Sequence, residues 1–407
     1  MTTFQDLGLD PTVLKSLERM GFTAPTPIQG EVIPYILNKQ DVIALAETGS
    51  GKTAACAIPI CHAVKVEEKQ IQSLVIVPTR ELALQYATEA QKVGRDKGVK
   101  VFAMYGGEDA GMQQSKLANG VHVLIATPGR LIDFIYSRQI DLTHVDTLIL
   151  DEADEMLNMG FIDDIELILK SCAAERRMLL FSATMPERIL SLAKRYMGKY
   201  DIVRIAKQEI TNVNIEQSYF EVPDRDKFDA LCRVLDVEED FYGIIFCNTK
   251  AEVVEISNHL NDKGYTSDAL HGDIQQNLRE KVVKQFKSNK YGVLVATDVA
   301  ARGIDISDLT HVINYGLPQD PESYVHRIGR TGRANKSGTA YSLVTPKDFG
   351  MLKQIQNVTK SVITQRPVPT AEEINNKKFK DMISQVEETI KAGELTKFIP
   401  SAIQLSE

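Results

Sequence analysis

Ala46-Glu47-Thr48-Gly49-Ser50-Gly51-Lys52-Thr53 follows the apolar run Val42-Ile43-Ala44-Leu45 and precedes a helical pattern that begins at Ala54. Strand, glycine-rich loop and helix in that order form the context a phosphate-binding loop requires. Gly49 and Gly51 let backbone N–H groups close around phosphate oxygens at a helix N-terminus, where the helix dipole also favours negative charge. In such a loop Lys52 reaches the terminal phosphates and the Thr53 hydroxyl ligates Mg²⁺. The strict GxxxxGK[ST] pattern fails at its first position, where Ala46 stands. Taken alone, the stretch also fits a chance glycine turn.

Outward from the loop, Leu74-Val75-Ile76-Val77, Val121-His122-Val123-Leu124-Ile125, Thr147-Leu148-Ile149-Leu150 and Met178-Leu179-Leu180-Phe181 alternate with helical segments over 81–93 and 186–197. Continuous apolar strands between helices predict a parallel sheet covered on both faces. The alternation restarts with Ile244-Ile245-Phe246, Tyr291-Gly292-Val293-Leu294-Val295 and His311-Val312-Ile313, with helices over 251–263 and 277–287. The fold class is therefore α/β, with two tandem parallel-sheet domains. We expect a first domain over 1–207, a polar linker over 208–217, a second domain over 218–365 and a helical tail over 366–407. Thr370-Ala371-Glu372-Glu373 opens the tail helix with a capping-box pattern. Phe379, Met382, Ile383, Val386 and Ile390 then follow helical spacing, as a packing seam would.

The 407 residues exceed the usual single-domain size, and 43% hydrophobic with 25% charged content is that of an ordinary globular protein. No stretch approaches the roughly 20 apolar residues that span a bilayer, and Met1-Thr-Thr-Phe-Gln-Asp lacks the regions of a signal peptide, so a cytoplasmic protein is expected. Cys56, Cys61, Cys172, Cys232 and Cys247 form no CxxC pair and read as reduced and mostly buried. A net charge of −8 argues weakly against nucleic acid. It is a global sum, however, and a local groove can still be positive.

Asp151-Glu152-Ala153-Asp154 directly follows the run 147–150, so its carboxylates emerge at the end of a parallel strand. There one acid can hold Mg²⁺ and its neighbour can activate water. An acidic solvated turn is the bland alternative, and the phosphate loop upstream makes it the weaker one. His326-Arg327-Ile328-Gly329-Arg330-Thr331-Gly332-Arg333 places Arg330 and Arg333 three apart, on one face if the stretch is helical. Such arginines can stabilise charge on a transferring phosphoryl group.

The ensemble resembles the DEAD-box RNA helicases of superfamily 2 over residues 4–345, with bacterial cold-shock-type members the most similar. Gly21-Phe22-Thr23-Ala24-Pro25-Thr26-Pro27-Ile28-Gln29 looks like the family's Q motif, with Phe4 as its isolated upstream aromatic. The resemblance implies two RecA-like domains, ATP and Mg²⁺ as cofactors, and RNA as partner. It places Phe4, Phe22, Gln29, Ala46 to Thr53, Gly303 and Asp305 at the nucleotide. Gln29 would read the adenine edge, Phe22 stack near the ring and Asp305 lie near the ribose. Lys52, Asp151, Glu152, His326, Arg330 and Arg333 carry catalysis, with Thr53 and Asp151 on Mg²⁺ and Glu152 on the attacking water. Ser182, Ala183 and Thr184 match the motif that couples the nucleotide site to strand separation.

RNA contacts are implied for Pro78, Thr79, Arg80, Gly107, Thr127, Gly129 and Arg130 in the first domain. In the second they fall on Thr249, Lys250, Gly272, Gln276, Arg279 and Thr297. Cations, hydroxyls and backbone N–H groups suit phosphate and ribose, which predicts sequence-independent binding. Three residues depart from the family pattern: Glu47, which nothing in the sequence explains; Gly316, where Asp is common, which would loosen interdomain contacts; and Ala334, which would open the base pocket. The expected activity is ATP-driven local unwinding of RNA, completed when ATP and RNA draw both domains together. An ATP-gated RNA clamp with little unwinding is the alternative. A DNA helicase is disfavoured by the Q motif and Asp154. The tail resembles the start of a dimerisation region, which implies a homodimer, while packing back on the second domain fits equally. It shows no basic, glycine-rich extension.

Overall fold

The computed structural model describes residues 3–46, 50–204, 215–238, 240–301, 306, 309–332 and 337–391. Glu47, Thr48, Gly49, Gly303, Asp305, Arg333 and Ala334 lie outside the described residues, as do 205–207 at the end of the expected first domain, 208–214 of the expected linker, the end of the tail and the Gln276 side chain. The chain divides into two compact units near residue 208.

In the first unit, seven parallel strands form one sheet in the order β3-β4-β2-β5-β6-β1-β7. They are β1 (Asp41–Leu45), β2 (Ser73–Ile76), β3 (Val101–Met104), β4 (Val123–Ala126), β5 (Thr147–Leu150), β6 (Arg177–Ser182) and β7 (Tyr200–Arg204). Every residue of β2, β4 and β5 is buried, as strands covered on both faces require. Successive side chains alternate between two cores: Val75 and Ile149 pack with Val42 and Tyr86 on one face, Leu74, Ile76 and Leu148 with Phe134 and Ile168 on the other.

The second unit holds β8 (Ile215–Glu221), β9 (Gly243–Cys247), β10 (Ser267–Leu270), β11 (Val293–Thr297), β12 (His311–Asn314), β13 (Gly338–Val344) and β14 (Thr364–Gln365). Their order, β10-β11-β9-β12-β13-β8-β14, is that of the first sheet strand for strand. Strand β8 begins at Ile215, inside the expected linker 208–217. The tail helix Ala371–Lys391 starts on the expected reciprocal cap: Thr370 N donates to Glu373 Oε2 at 2.7 Å and Glu373 N to Thr370 Oγ1 at 3.2 Å. Its first turns pack on the second unit through buried Ile374 and a Lys377 hydrogen bond to the Val237 carbonyl. Phe379, Met382, Ile383 and Val386 are exposed.

All five cysteines are unpaired; Cys232 is half-buried and the others are buried. Burial pushes the Cys61 thiol up to about 12 and Cys172 to about 11, so both stay protonated. No helix among the described residues is long and apolar enough to cross a membrane.

Candidate functional site

The helix Lys52–Ala63 starts directly after the loop that leaves β1, with Gly51 as its N-cap at φ 94°. A Cβ at Gly51 would sit 2.9 Å from Gln29 Nε2 and 3.0 Å from Thr26 Oγ1, so only glycine permits this turn. Thr26 opens the helix Pro27–Leu37 with a capping box in which Thr26 N donates to Gln29 Oε1 at 2.9 Å. Gln29 Nε2 donates to the Gly51 carbonyl at 3.3 Å, and Thr26 Oγ1 to the Ser50 carbonyl at 3.1 Å. The Q-motif residues thus brace the phosphate loop itself. Each Gln29 amide atom keeps one further hydrogen-bonding valence, which suffices for a bidentate contact to a base edge. Phe22 is half-buried and stacks on buried Phe4, with ring centroids 6.2 Å apart.

Strands β1 and β5 lie one strand apart, with β6 between them, and deliver two buried charges to the same end of the sheet. Lys52 Nζ lies 3.9 Å from Asp151 Oδ1; the two residues are 6% and 2% exposed. Burial pushes the Asp151 carboxyl above its ordinary range, and the Lys52 ammonium opposes that rise. At 3.9 Å the pair is too far apart to hydrogen-bond, so each keeps capacity for a third group. An ammonium, a carboxylate, half-buried Thr53 and a glycine-capped helix start form a donor set that fits phosphate and a divalent cation. Glu152 follows in the left-handed region at φ 53°, ψ 48°, its N–H held by Asp151 Oδ1 at 2.9 Å. A non-glycine residue there is strained, and such strain gathers at functional sites.

Asp154 joins this acidic turn to the end of β6. Its Oδ2 accepts from Ala183 N at 3.1 Å, Thr184 N at 2.9 Å and Thr184 Oγ1 at 3.0 Å. Ser182 closes β6 beside β1, with Ala46 N donating to its carbonyl at 3.0 Å. Phosphate loop, acidic turn and Ser182-Ala183-Thr184 therefore meet at one sheet end.

The nucleic-acid-facing candidates occupy neighbouring strand ends of the first sheet. Pro78 is buried, and Thr79 caps the helix Arg80–Val93, its Oγ1 accepting from Leu82 N at 3.3 Å. The Arg80 guanidinium lies 4.5 Å over the Tyr105 ring, and Gly107, at φ 87°, lets the backbone turn beside it. Thr127 stands at the N-cap position of the helix Pro128–Tyr136 without a side-chain cap bond, and that helix carries open Gly129; Arg130 Nη2 there donates to the Glu108 carbonyl at 3.0 Å. In the second unit, Thr249 caps the helix Lys250–Asp262, and Lys250 bridges Asp273 at 2.6 Å beside exposed Gly272. Arg279, in the helix Gln276–Lys287, donates to the Ala300 carbonyl at 2.8 Å, and Thr297 Oγ1 accepts from Ala300 N at 3.3 Å.

The motif near the second unit's end differs from expectation in one respect. The helix Pro321–Ile328 carries half-buried His326 but stops at Gly329, so Arg330 sits in the turn beyond it rather than on a helical face. Thr331 N bonds the Ile328 carbonyl at 3.0 Å and Leu309 N the Arg330 carbonyl at 3.3 Å, which fixes that turn. Gly329 at the C-cap and Gly332 at φ 69° supply the turn residues that end the helix.

Residues 26–192 match the DEAD/DEAH box helicase family and residues 226–335 the helicase conserved C-terminal domain. The DEAD-box ATP-dependent RNA helicase CshA of Geobacillus kaustophilus is 50% identical over 373 residues, 92% of this chain and 80% of that protein. The Bacillus subtilis protein of the same name is 46% identical over 405 residues, 100% of this chain and 82% of its own length. This chain belongs to the DEAD-box ATP-dependent RNA helicases. The S. cerevisiae Dbp5 structure bound to RNA and ADP BeF3 matches with a TM-score of 0.82 at 30% identity, covering 93% of this chain and 99% of that one. The two sheets are those of tandem RecA-like domains.

Two features of this DEAD-box chain escaped the sequence. Arg327, next to the expected His326, is 1% exposed and bonded on every side. Gly316 belongs to the same cluster within its own unit: its carbonyl accepts from Arg327 Nη1 at 2.7 Å. A run of alternating charge and glycine gave no local sign of either contact.

Proposed function

We propose that the chain hydrolyses ATP under RNA stimulation and uses the cycle to unwind or remodel short RNA duplexes. The observation that carries this reading is the buried Lys52–Asp151 pair, tied through Asp154 to the Ser182-Ala183-Thr184 segment. Lys52 and the loop amides hold the phosphates, and Gln29 and Phe22 take the adenine, with Asp305 at the ribose. Mg²⁺ would rest on Thr53 and Asp151, where it would neutralise charge developing between the phosphates. Glu152 orients the attacking water, His326 connects the acids to the arginines, and Arg330 and Arg333 supply transition-state charge. The domain limits 1–207, 218–365 and 366–407, with a linker over 208–217, go with this assignment.

RNA runs over the helix starts at Thr79, Thr127 and Thr249 and the cations Arg80, Arg130, Lys250 and Arg279, which touch backbone and not base edges. The chain works in the cytoplasm. The comparisons lend no support to a homodimer through the tail; sedimentation with and without residues 366–407 decides that point.

Glu152→Gln tests the reading. It should bind ATP and RNA normally and hydrolyse about 10²-fold or more slowly, the usual worth of a positioned base. Turnover at the parent rate would remove Glu152 from its role. A short blocked-end duplex separates unwinding from clamping, because a clamp binds such a duplex without displacing a strand.

A further inference from the structure

Arg327 is the largest fully buried side chain of the molecule's described residues. A guanidinium carries five N–H donors in a fixed fork, and each of the five has its own acceptor. Nε and Nη2 grip the Asp298 carboxylate at 2.6 and 2.7 Å. Nη1 reaches Asn314 Oδ1 at 3.0 Å and the Gly316 carbonyl at 2.7 Å. Nη2 also meets Asn248 Oδ1 at 3.2 Å, and the guanidinium carbon lies 5.1 Å over the Phe246 ring.

Those acceptors come from three separate strand ends. Asn248 follows β9 and precedes Thr249 and Lys250, Asp298 follows Thr297 at the end of β11, and Asn314 and Gly316 end β12. Asn248 Nδ2 completes the set by donating to the Leu317 carbonyl at 3.1 Å. Gly316 is what admits it: a Cβ there would stand 2.7 Å from that Nδ2.

We propose that Arg327 is the positioning residue of the second unit. Its guanidinium clamps the strand ends carrying Thr249, Lys250 and Thr297 to the helix end carrying His326 and to the turn beyond it that carries Arg330. RNA contact on those strand ends thereby acts on the turn that holds Arg330. Lysine cannot take the post, since an ammonium has three donors and no fork. The inference rests on the role proposed for Arg330 and deepens it.

The test uses the full chain at saturating ATP and RNA, at a temperature where circular dichroism shows each variant folded. Arg327→Lys should lose about 10²-fold in kcat, as about 1 Å of misplacement does, with KM for ATP little changed. Asn248→Ala removes the peripheral bond to Arg327 and the one to the Leu317 carbonyl and should lose about tenfold, within the range of mutations that act on coupling alone. In an Arg330→Ala background, Arg327→Lys should add no further loss, because two residues acting as a unit are not additive. A role in folding alone would lower the melting temperature and leave kcat untouched. Parent-like kcat in Asn248→Ala, or losses that multiply in the double variant, overturns the proposal, and Asn248→Ala decides by itself if Arg327→Lys does not fold. A silent Arg330→Ala would sink the role of Arg330 instead, and the hub then stands or falls on the two single-variant rates.

Discussion

Thr79 follows β2 of the first sheet at φ −129°, ψ 155°, and Thr249 follows β9, the strand in the same place in the second, at φ −127°, ψ 153°. Each caps the next helix with its hydroxyl, and each is followed by a cation, Arg80 or Lys250. Thr127 after β4 matches Thr297 after β11 in place alone, without a following cation, and Gly107 after β3 matches Gly272 after β10 in the same way. The match stops at the first and fifth strands. Strand β1 runs into the glycine loop and Lys52, but β8 runs into Val222-Pro223-Asp224; β5 ends in Asp151-Glu152, but β12 ends in Tyr315-Gly316. Contacts built on helix starts come with the scaffold, because a capped helix N-terminus favours phosphate wherever it occurs. A buried lysine paired with an acid at these two strand ends is, among the described residues, a feature of the first unit alone.

Lys52→Ala is the strongest way to break this contrast. Removing one member of a buried charge pair costs about 4 kcal/mol, or about 10³-fold in affinity, and no residue after β8 stands in for it. Fluorescent-nucleotide titration should show binding lost while RNA binding persists without nucleotide. Tight nucleotide binding in this variant would mean that the second unit holds a phosphate site of its own.

A gentler probe is pH. Burial raises the Asp151 carboxyl, so it takes up a proton at higher pH than an ordinary aspartate with a pKa of about 3.9. A proton competes with Mg²⁺ for that oxygen, so Mg²⁺-dependent nucleotide binding should weaken as pH falls, starting above the ordinary range. The slope should approach about tenfold per pH unit and vanish in Asp151→Asn. An equal slope without Mg²⁺ would place the titrating group elsewhere.

Much of this was legible beforehand, for reasons that differ by region. Runs such as 74–77 and 147–150 declare themselves because central parallel strands are apolar throughout. Strands β3, β7, β10 and β14 lie at sheet edges, where one side of the ladder is open, and β10, Ser267-Asp268-Ala269-Leu270, carries no apolar run at all. The central strand β13 hid for another reason: Thr339 and Ser342 interrupt its pattern although the strand is largely buried. In the site, Lys52 and Asp151 were readable because loop and acid each have a local pattern. Asp154 with Thr184, and Arg327 with Asn248, join residues far apart in sequence. No periodicity announces such a bond; only the fold brings its ends together.

The paired cations sharpen the comparison further. Each phosphate contact on a single strand contributes about 0.7 to the slope of log affinity against log salt. Arg80→Gln and Lys250→Gln should each lower the slope by about that amount, equally for any RNA sequence. They differ in their partners. Arg80 rests on the Tyr105 ring, whereas Lys250 must share itself with exposed Asp273. Lys250→Gln leaves that carboxylate facing RNA, so adding Asp273→Asn should recover affinity without restoring the slope. Slopes unchanged in both single variants would remove these residues from the RNA face.

The smallest effect tests the scaffold itself. Thr79→Ala and Thr249→Ala each delete a side-chain cap worth about 1 kcal/mol. The second loss should be the lesser, because Glu252 Oε2 still accepts from Asn248 N at 3.1 Å and Thr249 N at 3.2 Å and keeps half of the capping box closed. Hydrogen exchange reads this locally, at the Leu82 and Glu252 amides that the two hydroxyls now protect. Faster exchange confined to the mutated unit is expected, greater at Leu82. Equal acceleration at both amides in either variant would mean the caps are not independent local devices, and the likeness of Thr79 and Thr249 would then be a matter of backbone shape alone.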